Sequence, residues 1–110
     1  MIPTAKDFIF QKLNITRNES LAVSTTSLEI ASDMEGKGGR RNIIVRNNSP
    51  NAADIITISR GSAPAVAGVG IILKQGEVWY DSTDVNSICW QYQIQAICAT
   101  VNGVLVISEE

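Results

Sequence analysis

Between Arg40 and Asp81 the chain reads Arg41-Asn-Ile-Ile-Val-Arg-Asn47, a polar corner Asn48-Ser-Pro-Asn51, then Asp54-Ile-Ile-Thr-Ile-Ser59. After a gap comes Gly68-Val-Gly-Ile-Ile-Leu-Lys-Gln-Gly-Glu-Val-Trp-Tyr-Asp81. The apolar residues arrive in short β-branched runs, each closed by Gly, Pro, Asn or Asp and each too short for a stable helix. This is the pattern of a β-sandwich, and it speaks of architecture rather than catalysis. Lys74-Gln-Gly-Glu77 supplies the positive-φ glycine of a tight turn between two strands.

Working outward, Leu21, Val23, Leu28 and Ile30 flank Ser24-Thr-Thr-Ser27, whose hydroxyls favour a corner, so two more strands are expected there. A helix from Thr25 to Glu35 capped by Ser27 is the competing reading, but its apolar positions hold no stripe beyond one turn. Phe8 to Ile15 reads as a strand or an extended arm. The expected organisation is an N-terminal arm or first strand over residues 1–19 and a single sandwich domain over 20–110. Glu35-Gly-Lys-Gly-Gly39 is a loop; a phosphate-binding loop would need Gly-Lys-Ser/Thr opening a helix, and here a strand follows. Arg60 to Gly70 and Asp81 to Ser87 are further loops.

Asn102-Gly103 matches a two-residue type I′ turn and predicts a hairpin pairing Val101 with Val104, Ala99 with Val106 and Cys98 with Ile107. Both faces of that hairpin are apolar, with Ile97, Ala99, Val101, Val104 and Val106 on one and Ile94, Ala96, Cys98, Leu105 and Ile107 on the other. A sheet in so small a domain hides one face internally, so something must cover the second: the N-terminal segment, another subunit or a binding partner. Phe8, Ile9, Phe10, Trp90, Leu105 and Ile107 are therefore the candidate interface residues. Trp79-Tyr80 and Trp90-x-Tyr92 also invite a sugar-stacking reading. Trp79 and Tyr80 must point to opposite faces of a strand, which puts one in the core and the other at a rim or interface.

The 110 residues suffice for one core. Apolar residues are 45% and charged ones only 18%, below the usual quarter, so part of the surface is neutral or covered by protein. Nine basic and eleven acidic residues with no basic stripe argue against nucleic-acid binding. No apolar run is long enough to span a membrane, and the start lacks the pattern of an export signal. Histidine is absent, which removes the commonest base and metal ligand and every His-paired nucleophile. Cys89 and Cys98 fit neither a zinc site nor a redox pair; they read as buried thiols, although neighbouring strands would allow a disulfide. Glu77, Asp81 and Asp84 lack the spacing of a calcium loop. No catalytic residue, cofactor or metal is expected.

The order Arg41 to Asn47, Asp54 to Ser59, Gly70 to Glu77, Ile94 to Ala99 and Val104 to Glu109 resembles small all-β virion proteins of tailed bacteriophages. That resemblance implies a jelly-roll-like sandwich and a capsid decoration (cement) protein, made in the host cytoplasm and carried on the virion surface. Its implied partner is the major capsid protein, which it would bridge as a homotrimer. A head or tail fibre domain binding a host surface, or a carbohydrate-binding module, are the alternatives.

Overall fold

The computed structural model describes residues 16–37 and 39–110. It contains eight strands and, among the described residues, no helix: β1 (Arg17–Val23), β2 (Leu28–Ala31), β3 (Asn42–Asn47), β4 (Ile56–Arg60), β5 (Ile71–Leu73), β6 (Val78–Ser82), β7 (Ile94–Cys98) and β8 (Gly103–Glu109). They form two antiparallel sheets, sheet A in the order β1-β8-β3-β6 and sheet B in the order β2-β7-β4-β5. First pairs with last, second with seventh, third with sixth and fourth with fifth, which is one long hairpin rolled into a barrel-like sandwich. That is the jelly-roll topology. The all-β sandwich expected from the short β-branched runs is thus the observed fold.

Alternation along each strand builds the core. Ile43, Val45, Leu105 and Ile107 point inward from sheet A, and Ile56, Ile58, Ile94, Ala96 and Cys98 from sheet B, all at or below 1% exposure. Val23, Ile30, Leu73 and Cys89 complete the layer, with Leu21, Ile71, Trp79 and Trp90 packed at its margins. Cys89 and Cys98 are both free and buried. Of the consecutive strands only β4 and β5 share a sheet, so nearly every turn crosses the sandwich. The turn at Lys74–Glu77 is of this kind: Glu77 N–H donates to the Lys74 carbonyl (3.0 Å) and Gly76 takes φ +81°, as read from the sequence.

The predicted C-terminal hairpin does not form. β7 pairs with β2 and β4, while β8 pairs with β1 and β3, so the two strands face each other across the core instead of side by side. Gly103 does not have the positive φ that a type I′ turn demands. It serves close approach: a Cβ there would run into the Val23 carbonyl oxygen and lie 2.8 Å from both Cβ and Sγ of Cys98. β1 pairs with β8 from its first residue, Arg17, Asn18 and Glu19 lying opposite Glu109, Ser108 and Ile107.

Two buried polar clusters tie the ends of the roll. At one end Asn47, fully buried, donates from Nδ2 to the carbonyls of Asp54 and Leu73 (2.8 Å each) and accepts from Ser49 N–H (3.0 Å). Beside it Asp54 accepts from Asn51 N–H (3.0 Å) and from the Thr100 hydroxyl. At the other end Arg40, 3% exposed, donates from Nε to Glu109 (2.7 Å) and from its other nitrogens to the carbonyls of Trp90 (2.6 Å) and Ser32 (2.9 Å). Glu109 takes a second ion pair from Arg17 (2.9 Å), which also donates to the Ile30 carbonyl. Burial works against the Arg17 charge, but its bonds to Glu109 and Glu19 outweigh that and raise its pKa.

Candidate functional site: the outer face of sheet A

Directly opposed residues on neighbouring antiparallel strands share a face, so the register fixes what each sheet shows to solvent. On sheet A one cross-strand row runs Ser20, Val106, Arg46, Val78 and the next runs Asn18, Ser108, Ile44, Tyr80. Ile44 (39% exposed), Val78 (46%) and Tyr80 (59%) make an open apolar surface, with half-buried Val106 beside them and exposed Arg46 among them. The outer face of sheet B is partly covered: Ile72 on β5 stands 47% exposed, but a loop lies over β4 beside it. Thr57 points outward yet is 2% exposed, because the loop from Gly61 to Gly70 lies over it. Gly68 N–H donates to Thr57 Oγ1 (3.0 Å), Ala65 N–H to Ser27 Oγ (2.8 Å), and Gln95 Nε2 to the Gly61 carbonyl (3.3 Å).

The candidate interface residues divide accordingly. Leu105 and Ile107 are wholly buried inside the chain's own sandwich and have no surface to offer a partner. β8 lies inside sheet A, between β1 and β3, and turns its odd-numbered side chains into the core against sheet B. Trp90 is half-buried and packs against the core. Phe8, Ile9 and Phe10 lie outside the described residues. Sequence reasoning missed Ile44 and Val78, but the expectation that Trp79 and Tyr80 part company holds: Trp79 packs on the core and Tyr80 stands exposed.

The aromatic pair is not an open sugar platform. The Arg60 guanidinium lies 5.3 Å from the Trp90 ring centroid, Tyr92 meets that ring nearly perpendicularly at 5.3 Å, and Trp90 Nε1 donates to the Gln93 carbonyl (3.0 Å). A bond to Glu35 raises the Tyr92 pKa, helped by the charge of the same carboxylate.

The carboxylates serve as backbone caps. Glu77 accepts from Lys74 N–H (2.7 Å), Asp81 from Trp90 N–H (2.9 Å), and Asp84 from Asn86 and Ser87 N–H (2.7 and 2.9 Å). Those N–H bonds lower the Asp84 pKa. Burial, then the nearby Asp81 charge, pushes the Cys89 thiol up to about 11, so at neutral pH it holds its proton and is a poor nucleophile. Among the described residues no three His, Cys, Asp or Glu side chains converge as a metal site. The cleft of about 200 Å³ over Arg17, Ser32, Met34 and Arg40 is lined by the ion-pair network, whose charges already satisfy one another.

What the arrangement can do is present a firm apolar face to another protein. No protein family, curated protein or solved structure matches the chain.

Proposed function

We propose that the chain is a virion structural protein, a capsid decoration protein that seats the outer face of sheet A on the assembled shell and bridges neighbouring capsid subunits. The observation that carries this reading is the continuous apolar surface of Ile44, Val78 and Tyr80 on a sheet whose twin is partly covered by its own loop. Apolar surface left open on a small domain stabilises whatever buries it, and a ligand of the assembled state alone stabilises that state by mass action. The sequence resemblance supplies the identity of the shell. The fold supports it in kind, since jelly rolls recur in virion proteins.

The test is to mix purified protein with expanded and unexpanded heads of the phage that encodes it and to separate bound from free by sedimentation. Binding to the expanded form alone is expected. Ile44→Asp should keep the wild-type circular dichroism spectrum and lose binding at least about tenfold, since it places a charge in a desolvated seat. A folded wild-type protein that ignores both forms overturns the capsid reading; an Ile44→Asp variant that binds normally moves the seat off this face.

A further inference from the structure

We infer that β6 is an association edge, through which two copies of this chain join antiparallel, centred on Tyr80, so that sheet A of one copy runs on into sheet A of the other.

The hydrogen-bond phase of β6 is fixed by its flanks. Asn47 N–H donates to the Glu77 carbonyl (3.0 Å) and Thr83 N–H to the Arg41 carbonyl (2.8 Å). In an antiparallel ladder bonded and non-bonded pairs alternate, so Trp79 and Asp81 also bond to β3. Val78, Tyr80 and Ser82 therefore aim their N–H and C=O groups off the sheet, and among the described residues nothing bonds to those groups.

The other edges are blunted in familiar ways. β5 has three residues, and β2 has four with a register irregularity between Glu29 and Ala31. β1, the opposite edge of sheet A, shows polar Asn18 and Ser20 and carries the Arg17–Glu19 ion pair. β6 has no Lys, Arg or Pro, and its one charge, Asp81, is engaged by Trp90 N–H. Of its outward side chains, Val78 and Tyr80 are exposed and largely apolar, and Ser82 is small and half-buried.

A second copy fits because this edge is its own complement. The outward-bonding residues are spaced evenly about Tyr80, so an antiparallel copy in that register meets every outward N–H with an outward C=O. Val78 then faces the partner's Ser82, Trp79 faces the partner's Asp81, and the two Tyr80 rings stand side by side as a favourable cross-strand pair. No like charges are directly opposed. The contact closes on a two-fold axis, in contrast to the three-fold assembly implied by the resemblance.

Sedimentation equilibrium of the full chain from micromolar to millimolar concentration tests this without any shell present, so its outcome is separate from the capsid reading. A concentration-dependent dimer is expected. Tyr80→Pro removes the outward N–H and no bond to β3, a substitution edge strands tolerate, and should weaken the dimer by about tenfold or more. Tyr80→Cys reads the same contact without relying on that variant's folding. Paired Cα atoms would stand about 5.5 Å apart, within disulfide reach, and both native thiols are buried. Mild oxidation should link Tyr80→Cys dimers much faster than Val85→Cys, a position 97% exposed but off the strand. A monomer at every concentration, or equal linking of the two cysteine variants, overturns the inference.

Discussion

The two sheets of this sandwich treat their outer faces differently. Sheet B covers part of its own: the loop after β4 folds back, satisfies Thr57 and Gln95, and leaves an outward threonine 2% exposed, with Ile72 open beside it. Sheet A has more apolar side chains outside, at Ile44, Val78 and Tyr80, and none of the described loops lies over them. An isolated exposed isoleucine means little, whereas three apolar residues on two adjacent strands form a continuous surface. The difference makes the outer face of sheet A the candidate interaction surface.

The largest effect is expected on the inner side of the same sheet. Ile107→Asp would bury an unpaired charge in the core, and should cost about 4 kcal/mol or more, enough to unfold the chain, as read by urea denaturation. A folded, soluble Ile107→Asp protein would mean that β8 shows its odd face to the outside after all. A smaller effect is expected where sheet B is covered. Thr57→Ala removes the acceptor for Gly68 N–H and should cost about 1 kcal/mol while speeding hydrogen exchange at Gly68. Unchanged exchange there would show that the loop holds its place without that bond.

The smallest effect belongs to the loop that leaves β6. Folding lowers the Asp84 pKa through the Asn86 and Ser87 N–H groups. Its stabilisation is therefore present above the ordinary aspartate value of 3.8 and is lost as the pH falls through the lowered folded value. Because the carboxylate is fully exposed, the expected consequence is local: amide exchange at Asn86 and Ser87 corrected for its intrinsic pH dependence should rise in that acid window, and in Asp84→Asn should no longer respond to it.

Much of this was legible along the chain. The alternation in Asn42–Asn47 places Ile43 and Val45 inside and Ile44 and Arg46 outside, and the Gly76 turn was readable from three residues. The candidate surface was legible only in outline. Surplus apolar area argues for a cover, but reading Asn102-Gly103 as a hairpin turn points to Leu105 and Ile107 as its residues. A glycine needed for positive φ and a glycine needed for close approach are the same letter, and only the presence of Val23 and Cys98 beside Gly103 separates the two.

Local pattern and composition are enough to set the class of the fold, most of its strands and the absence of a histidine-based site, because strand formation and side-chain chemistry follow from them. Tertiary structure alone decided which strands are neighbours. Pairing β1 with β8 joins residues some ninety positions apart, from Arg17 to Glu109, and nothing local encodes it. Once pairing is set, it assigns every side chain to the core or to the surface. That is why Ile107 is core, Ile44 is surface, and Val78, Tyr80 and Ser82 form an open edge.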